Sequence, residues 1–381
     1  MKQRLTSLIV SATLFALIAT ACSSPAPTSQ PAGTEEITFK SGAFTIVGDL
    51  RTPGGPGPHP VVLFVHGSGP ADRTGSGNYL PVMERMLQAG YATFAWDKPG
   101  TGESTGRLED GDVQSQRAQI LLDAIEVIKA RPGIDPGQIG LWGISQAGYV
   151  MPRVLARSKD IAFMICVSCP GMSGYDQMAF QVTALALCDK VAEEKAEQKT
   201  HLLAELDRAR TYEAYEEYLH YREVLATLAG LTSAPIERWP VLSEEAWQKS
   251  APDQEALWNP IEVIEQVTIP ILAIFGDRDR QIDPLQGAYA YRQALQQIGN
   301  AKSRVEVFAE ANHGIAVSET GCPDEDLQRF EQYVKTLGYA SISKAQEAVL
   351  KDPYKPGLIS DPPFAPGFLD LMEEWLRDLR R

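Results

Sequence analysis

The sequence predicts an α/β fold: a mostly parallel, doubly wound sheet with a leading antiparallel hairpin and an inserted helical cap. Three observations predict it. From Pro60 onward, short apolar runs alternate with helix-compatible stretches, the pattern of parallel strands joined by crossover helices. Several of these runs end in loops that carry glycine, serine, histidine or aspartate, and ligands bind at strand carboxyl ends in such sheets. The alternation stops after Pro170 and resumes near Ile261. Between them lie long amphipathic patterns, such as 178–192 and 201–228, rich in Glu and Tyr, which read as a cap.

Taken in order, the chain begins with Lys2 and Arg4, an apolar stretch over 8–18, and Ala19-Thr20-Ala21-Cys22. This reads as a secretory signal over 1–21, too short for a membrane-spanning helix. Small residues before Cys22 resemble a bacterial lipobox, which implies a lipidated cysteine and a membrane anchor facing the periplasm or the cell exterior. Ala19-x-Ala21 also suits an ordinary signal peptidase. Pro, Ser, Thr and Gly over 22–35 cannot build a core and form a tether. Residues 36–52 alternate apolar and polar around Gly42 and Gly48, a hairpin. The first part of the α/β body then runs over 36–170, with helices near 79–89, 113–130 and 149–156. The cap occupies 171–259 and the second part of the body 260–381, with a helix at 324–337, a Pro-rich stretch and a last helix from Gly367.

The chemistry concentrates at four strand ends. Gly143-Ile144-Ser145-Gln146-Ala147-Gly148 follows the apolar run Ile139-Gly140-Leu141-Trp142 and precedes a helix, so Ser145 sits where a strand turns sharply. At such an elbow, small residues two before and two after the serine let strand and helix approach, leaving the hydroxyl exposed. Ala147 stands where glycine is usual. Further on, 269–275 is a buried-strand run ending in Gly276-Asp277-Arg278-Asp279, and 305–308 is a strand followed by Ala309-Glu310-Ala311-Asn312-His313-Gly314. Earlier, 60–65 runs into His66-Gly67-Ser68-Gly69-Pro70-Ala71-Asp72-Arg73, a glycine-rich turn able to aim N–H groups at a developing oxyanion. The hole is assigned to the N–H groups of Gln146 and Ser68, with Gly69 as the neighbouring possibility.

In these motifs the chain resembles the α/β-hydrolase superfamily. The order Ser145, an aspartate, His313 is that superfamily's order. His-Gly-Ser-Gly-Pro-x-Asp-Arg is similar to the bacterial EstD-like carboxylesterases, and Asp97-Lys98-Pro99-Gly100-Thr101-Gly102-Glu103-Ser104 matches the superfamily's D-x-x-G-x-G-x-S loop. It departs in Lys98-Pro99, where an arginine before the glycine is usual. The resemblance covers about residues 36–170, 260–318 and the final helix. It implies a serine nucleophile, a histidine base and an orienting acid, hence a serine carboxylesterase with no cofactor or metal, which the signal over 1–21 makes an exported one. Residues alone leave Asp277, Asp279 and Asp283 open as the acid; the family's G-x-x-D spacing after Gly276 points to Asp279.

Other candidates receive quieter readings. His66 precedes the nucleophile and reads as a buried, hydrogen-bonded loop residue; His59, His201 and His220 read as surface residues. Asp72 and Arg73 read as an ion pair holding the oxyanion loop. Cys166-Val167-Ser168-Cys169 is set at the strand 161–167; with both cysteines on the strand, residues three apart would face opposite sides, so no dithiol or zinc half-site is expected. With Cys188 and Cys322 these cysteines are too scattered to predict a disulfide framework, although export permits a bond. Tyr212, Tyr215, Tyr218 and Tyr221 read as packing of the cap on the body.

The 381 residues are 44% hydrophobic and 22% charged, within the range of globular domains. A net charge of -14 without Lys/Arg clusters argues against nucleic-acid binding; the small-molecule ester expected as partner is what the resemblance implies. Two alternatives share the sequence features: a serine peptidase resembling the proline-iminopeptidase or prolyl-oligopeptidase families, and a non-catalytic surface binding protein on a hydrolase fold. Oligomeric state, acyl preference and host membrane are not legible in the sequence.

Overall fold

The computed structural model describes residues 33–108, 113–190, 258–351, 354 and 363–381, with isolated positions at 194–195, 197–198, 201, 215–216, 219–220 and 243–245. Eight strands form one sheet: β1 (Gly33–Ser41), β2 (Phe44–Thr52), β3 (His59–Val65), β4 (Ala92–Trp96), β5 (Ile134–Ile144), β6 (Ile161–Val167), β7 (Ile271–Gly276) and β8 (Arg304–Phe308), in the order β1-β2-β4-β3-β5-β6-β7-β8. The β1–β2 hairpin and the β2–β4 contact are antiparallel; every later pairing is parallel. This is the mostly parallel sheet with a leading hairpin that the sequence predicts.

Helices cover both faces. One core cluster packs α2 (Val113–Lys129), α3 (Ala147–Leu155), α5 (Ile261–Ile264) and α6 (Pro284–Ile298) on the sheet; the opposite cluster packs α1 (Leu80–Gln88) and α9 (Phe368–Leu379). Central strands sandwiched in this way bury both faces, which is why β3 and β7 read as unbroken apolar runs rather than alternating ones. The last helix is strongly one-sided, with Phe368, Leu371, Met372, Trp375 and Leu376 buried along one stripe.

Three helices carry the remaining described structure. α4 (Gly174–Cys188) opens the segment expected to form the cap, and α7 (Pro323–Thr336) agrees with the helix expected at 324–337. α8 (Ile342–Lys351) falls where the sequence reading placed only a Pro-rich stretch. The prolines there begin beyond it, at Pro353, and do not interrupt it. Most of 191–257, including Tyr212, Tyr218 and Tyr221, lies outside the described residues, as do the signal segment, Cys22 and the tether up to residue 32. Among the described residues no helix is long and apolar enough to cross a membrane.

The cysteines require a correction. Cys166 and Cys169 are disulfide-bonded, and so are Cys188 and Cys322. The alternation argument failed because β6 ends at Val167: Ser168 adopts φ 45°, so the chain hooks back and brings Cys169 beside the strand's last turn. The second bond joins the end of α4 to the N-cap of α7 across 134 residues, a pairing that spacing alone does not reveal.

Candidate active site

Ser145 sits one residue beyond β5 with φ 58°, a left-handed conformation that costs a non-glycine residue about 1–2 kcal/mol. Its neighbours make that conformation possible. A Cβ at Gly143 would lie 2.6 Å from the Cβ of Ala147, so strand and helix approach as closely as one methyl allows. Ala147 is tolerated because its partner across the turn is glycine. The elbow is further fixed by Ser145 N–H donating to Val167 O at 3.0 Å.

Of the three acids open in the sequence, Asp279 contacts His313. Its Oδ2 is 2.8 Å from His313 Nδ1, while Oδ1 accepts from the N–H groups of Gln281 and Ile282 at 2.7 and 2.9 Å. Those two bonds fix the carboxylate and leave His313 Nε2 as the ring nitrogen not engaged by it. Asp283 is instead the N-cap of α6, accepting from Leu285 and Gln286 N–H, and Asp277 accepts from Ala311 N–H at 3.4 Å. The histidine loop is held by Asn312, whose Oδ1 accepts from Gly314 and Ala316 N–H. Ser168, fully buried behind the elbow, donates its hydroxyl to His313 O at 2.8 Å. The hook made by the Cys166–Cys169 bond therefore touches both the serine and the histidine loops.

Ser145, His313, Gly67 and Ser68 line one cavity of about 500 Å³. A Cβ on Gly67 would lie 3.3 Å from Ser145 Cβ, which places this turn against the nucleophile's position. Among the described residues, the N–H groups of Ser68, Gly69 and Gln146 have no acceptor. Gln146 is the N-cap of α3, where a helix leaves N–H groups unpaired.

Two buried basic side chains that the sequence did not mark as functional brace this turn. Lys98 Nζ, on a residue 5% exposed, donates to Gly67 O and Gly69 O, both at 2.6 Å. These carbonyls flank Ser68 on either side, so Lys98 sets the tilt of the peptide that carries its N–H. Burial, and then the Arg117 guanidinium, push the Lys98 ammonium down to about 6. At neutral pH the amine is mostly uncharged, with two N–H groups for two carbonyls. Arg117 donates to Gln146 Oε1 at 2.6 Å and to His66 O, tying the elbow to the turn; burial pulls it down to about 10. The signal for Lys98 was its departure from the expected arginine; Arg117 sits on an amphipathic helix with nothing in its spacing to mark it.

His66 is buried, as the sequence suggests, and its Nε2 lies 3.1 Å from Asp72 O. Burial, then Lys98 and Arg117, hold it well below its ordinary value, so it stays neutral. The expected Asp72–Arg73 pair is corrected in its partners. Arg73 bonds Asp97 and Asp49 at 2.7 and 2.6 Å and reaches Glu36 and Glu103. Asp72 turns inward and accepts from Thr74 N–H and Oγ at 2.7 and 2.6 Å. Adjacent side chains point apart, so each holds the turn from a different side. Burial opposes the Arg73 charge, but the hydrogen bond and charge of Asp97, with Asp49, raise it still further.

A left-handed serine at the β5–α3 elbow, an aspartate–histidine pair beyond the ends of β7 and β8, and an open turn after β3 on the serine's other side are arranged as on the α/β-hydrolase fold. The sequence model of the X-Pro dipeptidyl-peptidase (S15) family matches residues 43–313, and the chain belongs to that family. Esterase EstD of Thermotoga maritima is 23% identical over 273 residues, covering 70% of this chain and 57% of that protein. Thiohydrolase aneE of Aspergillus aculeatus is 27% identical over 141 residues, 36% of this chain and 43% of that protein. The chain thus spans about half the length of these curated relatives. Among solved structures, Pyrococcus furiosus esterase Pf2001 is similar with a TM-score of 0.46 at 16% identity, covering 84% of this chain and 91% of that one. Est1E from Butyrivibrio proteoclasticus matches with a TM-score of 0.46 at 13% identity, covering 73% and 90%.

Proposed function

We propose that the protein is an exported serine carboxylesterase that cleaves small-molecule esters through an acyl-enzyme. His313 Nε2 accepts the Ser145 hydroxyl proton as Oγ attacks the ester carbonyl, and Asp279 orients the ring and stabilises its cation. The N–H groups of Gln146 and Ser68, with Gly69 beside them, stabilise the oxyanion. The same histidine returns the proton to the leaving alcohol, and water repeats the sequence to release the acid. The observation that carries this reading is the 2.8 Å contact between Asp279 and His313 on a cavity that also receives Ser145.

The cavity wall favours an ester over a peptide. Its described lining is mostly apolar. The similarity to an esterase over 70% of the chain supports the same reading. A second reading, a dipeptidyl-peptidase, is favoured by the family match. Export through 1–21, lipidation of Cys22 and the tether to residue 35 complete the proposal, with the cap over 171–259 covering the site. Two disulfides support an oxidising compartment. The test is hydrolysis of p-nitrophenyl esters and Ala-Pro-p-nitroanilide by the 35–381 chain beside Ser145→Ala. Ester cleavage lost in the variant supports the esterase; cleavage confined to the anilide moves the assignment to peptidase, and silence on both leaves the binding-protein reading.

A further inference from the structure

The cavity extends from Ser145 to the C-terminal helices. On α7 and its C-cap, Phe330, Val334 and Leu337 stand four and then three residues apart and so share a face, with Tyr333 beside them; Ala345 comes from α8. Phe364 and Phe368 continue the wall below. We propose that this α7–α8 face selects the acyl group, and that the substrate is an ester of a neutral aliphatic or aryl-alkyl acid rather than an acetate ester. This rests on the esterase reading above.

Size, charge and rigidity each support it. A cavity of about 500 Å³ is in the range that encloses a whole small molecule. An acetyl group would leave most of that apolar surface facing water. Among the described lining residues, the acid and base outside the catalytic pair are Asp326 and Arg329. Arg329 already bonds Glu319 and Glu325, both at 2.9 Å, and Asp326 Oδ1 is closed off from solvent. Arg329 is therefore not free to hold a charged chain. The wall is also fixed at its start, because the N-cap of α7 is Cys322, bonded to Cys188 at the end of α4. A fixed wall of this kind imposes a length limit. On the acyl side the described wall is thus formed by α7 and α8.

The experiment compares kcat/KM for p-nitrophenyl acetate, butyrate, hexanoate, octanoate and 4-phenylbutyrate in the 35–381 chain. The variants are Ala345→Trp, which fills the cavity, Val334→Ala, which enlarges it, and Glu347→Gln, which alters the exposed side of α8. The wild type is expected to gain about fourfold per added methylene until the wall is reached. Ala345→Trp should keep acetate turnover within about threefold and lose at least about tenfold on octanoate, the loss of two or more buried methylenes. Val334→Ala should move the optimum to a longer chain, and Glu347→Gln should overlay the wild type. If Ala345→Trp fails to fold, the direction of the Val334→Ala shift decides. Acetate as the best wild-type substrate, or an unchanged length profile in the folded variants, overturns the proposal. Failure of the underlying reading looks different: no ester of any length is cleaved while the anilide is, and the acyl wall falls with it.

Discussion

Replacing Lys98 by Met removes the amine that holds both carbonyls flanking Ser68, at nearly unchanged side-chain volume. Each of the two 2.6 Å bonds is worth about 1 kcal/mol net, so the turn loses about 2 kcal/mol of preference for its present tilt. Expressed as the fraction of molecules with the Ser68 N–H correctly aimed, that is about 30-fold in kcat. The ceiling is the 100- to 1,000-fold cost of losing one oxyanion donor outright. Because the donor acts on the developing charge, KM should change little. Steady-state hydrolysis of p-nitrophenyl butyrate, with circular dichroism to establish folding, measures the effect. A folded Lys98→Met enzyme with kcat within threefold of the wild type refutes the reasoning. Stability supplies an independent readout. Lys98 titrates near 6 when folded and near 10.4 when unfolded, so between those values the unfolded chain holds the extra proton. Wild-type stability should therefore fall on acidification from pH 9 toward pH 6, by on the order of 1 kcal/mol per pH unit from this group, and level off below 6. That contribution should be missing from Lys98→Met in urea titrations at several pH values.

The other predictions follow from the same contacts. Asp279→Asn should lower kcat by about four orders of magnitude, whereas Asp277→Asn should stay within a few-fold; equal losses in both would remove the basis for choosing Asp279. Asp283→Ala should leave kcat nearly intact but cost about 1 kcal/mol of stability through the lost α6 cap, read as a lower urea midpoint. Gly143→Ala drives a methyl to 2.6 Å from Ala147 and should cost about 1–3 kcal/mol, with partial recovery in the Gly143→Ala, Ala147→Gly double variant; simple additivity would argue against the contact. Replacing Cys188 and Cys322 by Ser opens a span of 134 residues, worth up to about 5 kcal/mol by loop entropy. The same change at Cys166 and Cys169 should cost less through this effect, and thermal melts would rank the two.

Much of the site was legible because its signals are local. The elbow needs small residues at fixed distances from Ser145, and its backbone conformation is set within a few residues of sequence. Strands β3 and β7, and β5 from Ile139 onward, are apolar runs because both faces of the sheet are covered, and that too is written in consecutive residues. The misses share the opposite property. Cys188 with Cys322, Arg73 with Asp97, and Lys98 with Gly67 and Gly69 are pairings between segments whose separation carries no periodic signal. The Cys166–Cys169 bond was missed for a narrower reason: strand alternation was carried past the strand's end at Val167, and the left-handed Ser168 reversed the face of the next side chain.

The sequence by itself determined the fold class, the order of the serine, acid and histidine, and the turn opposite them, since hydrophobic periodicity and glycine placement act over short stretches of chain. Only the tertiary structure decided which aspartate meets His313, that a buried lysine and arginine hold the turn after β3, and that the C-terminal helices wall the cavity. Those are matters of distance between remote segments, fixed when the sheet and its two helical layers bury their apolar faces together.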